Sequence, residues 1–372
     1  MNNSNKKTGV SDILMKLGPL LVLALLFIVF TIALPGKFMR VANLMNILKQ
    51  TSINCLIAAG MLLALITAGI DLSVGYNSIL ATCLIGVMMQ NGITNPVVLI
   101  VCAIALCTFC GFMNGTLYTR LDLPHPYVST LGMKFVLWGM ALLITQSQTI
   151  GFNNKGIDPV LWIGKSTIFS FGFPVSFILV IIVYCIFHVF LNHTPLGRQI
   201  YCVGGNPEAA RMSGIRSKDV LTIVYTISGL MCGIAGVVLA GRLNSANTAS
   251  AANFDTDAIA ACIIGGASFR GGKGTIWGSM IGALLIATIR DGLNLFGAGN
   301  DIQRATNLAR RMVGNDCRIL IPTAGLTGGI FLLLVDDVAR NLYTTELPLG
   351  ILTAFVGAPF FIYLMARKGA VS

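Results

Sequence analysis

The sequence predicts an all-α, polytopic integral membrane protein of about ten transmembrane helices, and three observations lead there. Hydrophobic residues make up 55% of the 372-residue chain, charged residues only 10%, and the mean hydropathy is +0.81. A soluble domain carries about a quarter charged residues, so this excess of apolar surface has to face lipid. Apolar runs of about 20 residues, the length that crosses a hydrocarbon core, recur from one end of the chain to the other. Within each run the apolar residues are continuous rather than alternating, which excludes a membrane barrel.

Taken in order, the expected spans are 17–34, 52–70, 72–90, 96–118, 127–146, 168–191, 220–240, 275–297, 319–335 and 349–366. A shorter apolar stretch at 257–268 is either an extra crossing or a re-entrant piece. The first run follows Lys6, Lys7 and Lys16 and is longer than the core of a cleaved signal peptide. It reads as an uncleaved helix that starts inside. The 41 glycines fit close helix packing in lipid, and Gly229, Gly233 and Gly236 share one span.

A net charge of +11 would suit a nucleic-acid binder, yet the basic residues are scattered over short connectors rather than gathered on one face. Cytoplasmic loops of membrane proteins collect Lys and Arg, and that explains the charge. The connector at 192–219 carries Arg198, Arg211, Arg216 and Lys218 and is expected inside. The connector at 148–166 holds only Lys155 and Lys165 and is expected outside. Counting spans from an inside start assigns both loops the same way.

Most of the ten cysteines fall inside apolar runs, where Cys behaves as a small hydrophobe. Cys102, Cys107 and Cys110 have a spacing seen in iron–sulfur proteins, but they lie mid-span with no fourth ligand nearby. His125, His188 and His193 have no ligand spacing to one another. No disulfide framework, metal site or cofactor is expected.

Three segments carry more information. In the loop at 194–215, Asn206 is placed as an N-cap, Pro207 fits the first helical position and Glu208 complements the positive helix end. Gly214 then stops the helix, leaving a short capped helix on the cytoplasmic face. In the second segment, Ala68-Gly-Ile-Asp-Leu-Ser-Val-Gly75, a carboxylate stands between two spans beside glycines that permit a helix break. Asp71 and Ser73 either cap a tight turn or line a pathway. The third, Asp255 to Gly274, is glycine-rich but is not a phosphate loop. Ala267 occupies the place of the first glycine, and Gly274 follows Lys273 where Ser or Thr is required.

All three segments, and the run from Gly278 to Gly297, resemble the ribose/xylose/galactose-type permeases of ABC importers. The resemblance covers about residues 1–299. It implies an ABC importer permease fold, no enzyme activity of its own, and a place in the bacterial inner membrane. The implied partners are an ABC ATPase subunit, a periplasmic sugar-binding protein, and a second permease copy or a homologue. It also implies that the short helix is the ATPase-coupling loop, through Gly204, Gly205, Asn206, Pro207, Glu208, Ala209, Ala210, Arg211 and Gly214. The polar groups near or inside spans, Asp71, Ser73, Asn77, Asn114, Asn244 and Asp257, are the candidates for the translocation pathway.

The last part of the chain departs from this pattern. From Leu308 onward, through Asp336-Asp-Val-Ala-Arg340, Glu346-Leu-Pro-Leu-Gly350 and Gly357-Ala-Pro-Phe-Phe361, it resembles the iron-siderophore and cobalamin ABC permeases. Residues 300–372 are therefore expected to be helices of that second branch, joined to the first by a gene fusion, by a frameshifted or misassembled reading, or as a real chimaeric permease. Topology strains at the join. With 257–268 as a crossing, residue 299 lies outside, whereas Arg304, Arg310, Arg311 and Arg318 argue for the inside. An importer for a siderophore or cobalamin is the alternative function, and a secondary transporter without an ATPase is a third.

Overall fold

A computed structural model of the chain describes residues 10–152, 158–168, 170, 172–251 and 253–295. Residues 1–288 form one compact unit, and of the second unit only 289–295 are described. The expected spans at 319–335 and 349–366, and the arginines from Arg304 to Arg318, lie outside the described residues. Among the described residues, six helices are long and apolar enough to cross a membrane.

The chain opens with α1 (Val10–Ala33) and α2 (Val41–Ile66). The second helix begins eleven residues before the apolar run at 52–70, because Asn43, Asn46, Lys49 and Gln50 lower its hydropathy without stopping the helix. It ends at Ile66, and α3 (Val74–Gln90) starts only after a non-helical stretch in which Ala68 takes φ +59°. Next come α4 (Pro96–Arg120) and α5 (Pro126–Thr145). Each has Pro in its first turn behind a capping side chain. Asn95 accepts from the amides of Val97 and Val98, and His125 accepts from that of Tyr127. Polar-then-proline is the helix-start signal at work.

The expected outer connector is structured. Its described residues hold β1 (Ile150–Gly151) and α6 (Asp158–Lys165), and just beyond it the first strand of a small hairpin, β2 (Thr167–Ile168), pairs with β3 (Phe173–Pro174). The span expected from 168 therefore begins later, as α7 (Val175–His193), because Gly172 and Pro174 belong to the hairpin. Then follow α8 (Pro195–Gly205), α9 (Pro207–Met212) and the long α10 (Ser217–Leu243). Beyond α10, β4 (Ser245–Ala246) pairs with β1, and a 3-10 turn (Thr248–Ala251) packs on α3 and α5. The described chain ends with α11 (Phe254–Ile264) and α12 (Ile276–Leu295).

Helix α10 is the axis of the unit, packing along α4, α2, α3 and α6, while α7 and α11 pack on α2. The glycines make this possible. A β-carbon on Gly60 of α2 would stand 2.9 Å from the Ser228 Cα, and one on Gly233 of α10 would stand 2.8 Å from the Ile104 Cα. Lipid gives no hydrophobic force between helices, so such close backbone approach, and the dispersion contacts it allows, holds them together.

The stretch between α10 and α12 leads back to the loop at 194–215. The turn after α11 needs Gly271 and Gly272 at φ +77° and +70°, and it lies against Gly204 and Gly205. Arg270 and Lys273 therefore share the face of the loop at 194–215, as their charge requires.

Candidate functional site

On that face, α8 and α9 form a compact pair. Thr194 caps α8 by accepting from the Gly197 amide at 3.1 Å, and Asn206 caps α9 by accepting from the amides of Glu208 and Ala209 at 3.1 and 3.0 Å. Gly214 closes the pair at φ +81°. The short helix was legible in the sequence, whereas α8 before it was not, since its polar and apolar residues mark no long run. Ala210 of α9 is buried, while Glu208 and Arg211 stand exposed and pair with each other at 2.7 Å. An exposed pair of this kind contributes little to stability, so these side chains are free to contact another surface.

The pair is welded to the membrane-spanning helices. The Gly272 amide donates to the Ile66 carbonyl at 2.8 Å, where α2 ends, and Gly204 packs directly on that same carbonyl. Tyr201 of α8 donates to the Gly274 carbonyl at 2.7 Å. Partial burial pushes the Tyr201 phenol above its ordinary value. The pair thus meets the end of α2 through backbone contacts rather than flexible side chains.

Beyond Ile66 lies the break between α2 and α3. Asp71 Oδ1 accepts from the Ser73 amide at 3.0 Å and the Ser73 hydroxyl at 2.5 Å, which is the turn-capping arrangement. Its Oδ2 accepts from the Ser228 hydroxyl at 2.8 Å, which carries the interaction across to α10. Asn114 of α4 donates to Ser73 Oγ at 3.4 Å. Asn77, one turn into α3, donates to the Cys107 carbonyl at 3.1 Å, and the Cys107 thiol donates back to the Asn77 carbonyl at 3.1 Å. The sequence-derived candidates Asp71, Ser73 and Asn114 therefore come together in one network, with Asn77 held beside it against α4, and each of the four is no more than 3% exposed.

Asn244 and Asp257 stand elsewhere. Asn244 ends α10 in the left-handed region at φ 52°, sixteen residues from Ser228 and so about 24 Å along the helix. Asp257 is buried in the first turn of α11. The sequence reading missed Ser228, since a serine on a helix carries no signal of its own. It also missed an ion pair between Lys134 of α5 and Asp255 of α11 at 2.6 Å. A lone lysine inside an apolar run was the available clue. Among the described residues no group of three or more His, Cys, Asp or Glu is placed to hold a metal ion.

Comparison with known proteins agrees with this architecture. The family described as branched-chain amino acid transport system / permease component matches residues 43–314. The FecCD transport family matches residues 304–367. The ribose import permease of Bacillus subtilis (strain 168) is 36% identical over 305 residues, covering 82% of this chain and 92% of its own. The fructose import permease of Rhizobium meliloti is 34% identical, covering 75% and 78%. A D-allose transport system permease of Escherichia coli (strain K12) is 36% identical, covering 75% and 84%. A family match over most of the chain, on a helical unit built to cross a bilayer, decides the matter: the chain belongs to the branched-chain amino acid transport system / permease component family, whose members are multi-pass permeases of the inner membrane.

Proposed function

We propose that the chain is the membrane-spanning subunit of an ABC importer for a monosaccharide of the ribose, xylose or galactose class. It carries the sugar while a separate ATPase subunit hydrolyses ATP. The observation that supports this most is the short helix α9, capped at both ends, exposed at Glu208 and Arg211, and packed through Gly204 on the end of α2. That construction suits a part that is pushed from outside and transmits the push inward. The similarity to permeases named for ribose, fructose and allose supports a sugar as cargo. In this reading the chain works with a periplasmic sugar-binding protein and a second permease copy or homologue, through about ten spans.

Gly204, Gly205, Asn206, Pro207, Glu208, Ala209, Ala210, Arg211 and Gly214 form the ATPase-coupling element. Asp71, Ser73, Asn77 and Asn114 brace the helix break beside the pathway, and Asn244 and Asp257 stand at its outer and middle parts. Residues 1–299 form the sugar-type domain, and 300–372 are helices of the siderophore and cobalamin branch that do not set the cargo. The FecCD match at 304–367 is the one observation favouring the alternative, an importer of a ferric chelate or cobalamin.

The test replaces Glu208 and Arg211 by Ala in the complete transporter. Losing both contacts should weaken docking of the ATPase by about 1–2 kcal/mol, roughly tenfold in affinity. Recovery of the ATPase with tagged permease and uptake of labelled sugar should both fall, with the amount of permease in the membrane unchanged. Unaltered recovery and uptake would sink the coupling assignment. Import of a ferric chelate and of no sugar would establish the alternative.

A further inference from the structure

The break network is enclosed, none of its four residues more than 3% exposed, so it presents few groups to a cargo even though the Oδ1 atoms of Asn77 and Asn114 lack a hydrogen-bond partner inside it. A different set of side chains, unabsorbed by that network, is open and chemically suited. Lys134 lies eight residues after the start of α5 and eleven before its end, about 12 and 16 Å from either side, which places it at mid-membrane depth. It meets Asp255 at 2.6 Å, and the side chains are 25% and 8% exposed. The Lys134 ammonium also stands 6.0 Å from the centroid of the Tyr76 ring, and that ring lies 5.9 Å from the ring of Trp138, one helical turn along from Lys134. Trp138 is 41% exposed. Three elements, α3, α5 and α11, thus bring an ion pair and two aromatic rings into one row.

A surface bearing an ion pair at mid-depth does not face hydrocarbon, because an intramembrane charge turns toward protein or a water-filled cavity and marks a pathway. An aromatic ring presents an apolar face on which the C–H face of a sugar ring can lie, while a neighbouring carboxylate and ammonium bond its hydroxyls. We propose that Trp138, Tyr76, Lys134 and Asp255 form a sugar-binding subsite of the translocation pathway, with Trp138 as the stacking platform. This rests on the reading of the chain as a monosaccharide permease, and it places cargo contact on residues that no part of that reading assigns.

The experiment compares Trp138→Phe, which keeps a ring, with Trp138→Leu, which keeps apolar bulk without one. Both are measured in the complete transporter at saturating sugar, per permease molecule in the membrane, with Trp138→Met as the replacement should Trp138→Leu fail to accumulate. Uptake is read for ribose, fructose and allose in parallel. Trp138→Phe should retain the rate and the order of preference among the three sugars. Trp138→Leu should lose about tenfold in rate and change that order, since ring stacking adds to simple burial. A merely structural tryptophan would lower all three rates evenly and treat Phe and Leu alike, and that outcome overturns the subsite. No uptake of any monosaccharide by the unaltered transporter overturns the sugar reading and the subsite's ligand with it. Uptake that is normal in the unaltered protein and in Trp138→Leu overturns the subsite alone.

Discussion

Gly111 of α4 and Gly229 of α10 lie face to face, so that a β-carbon on Gly111 would stand 2.8 Å from the Gly229 Cα and one on Gly229 would stand 2.9 Å from the Gly111 Cα. The two helices touch backbone to backbone there, and no side chain can be inserted without moving them apart. Gly229→Ala should therefore destabilise the permease by about 1–3 kcal/mol through overpacking. Gly139→Ala is the matched control, since a β-carbon at Gly139 meets no atom within 4 Å. Thermal unfolding in detergent should separate the two variants clearly. Equal melting temperatures would show that the α4–α10 contact is looser than described.

A second close approach links the α8–α9 pair to the spans. A β-carbon on Gly204 would run into the Ile66 carbonyl, the acceptor for the Gly272 amide, whereas one on the adjacent Gly205 meets nothing within 4 Å. Gly204→Ala must part α8 from α2 or break the bond to Gly272, at an expected cost of about 1–3 kcal/mol. Uptake and sugar-stimulated ATP hydrolysis should both fall much further in Gly204→Ala than in Gly205→Ala. If both variants transport normally, the end of α2 is not the receiver of the push from α9.

How much of this was legible in the sequence differs from feature to feature. Asn206-Pro-Glu and Gly214 announced α9 because capping chemistry is local, requiring only residues two or three positions apart. Asp71 stood out because a carboxylate between apolar runs is costly, and its bonds to Ser73 follow from a spacing of two. Its third partner, Ser228, is 157 positions away, and no local rule reaches that far. The ion pair of Lys134 with Asp255 joins residues 121 apart, and the pairing of Ile150 with Ala246 joins strands of two residues each, too short to show a period. The course of the stretch at 257–268 stayed open for the same reason. Its approach to the loop at 194–215 comes from Gly271 packing on Gly204, a contact between two distant loops.

The bonds of Asp71 decide what a substitution there should do. Its carboxylate accepts three hydrogen bonds, two from Ser73 and one from Ser228, in a site only 2% exposed. Asp71→Ala leaves two buried hydroxyls and an amide without their acceptor, and an unpaired buried group costs about 1–3 kcal/mol. Asp71→Asn keeps the volume and one acceptor oxygen, and its amide can donate to Ser228 Oγ, which is able to accept instead. The expected order of thermal stability in detergent is the unaltered protein, then Asp71→Asn lower by about 1 kcal/mol, then Asp71→Ala lowest. If Asp71 serves by bracing the break, sugar uptake per folded molecule should follow that same order. A direct contact between Asp71 and the cargo would show differently, with Asp71→Asn melting almost normally and yet transporting almost nothing. That result would move the pathway from the open row at Trp138 into the enclosed network, and Trp138→Leu should then transport as well as Trp138→Phe.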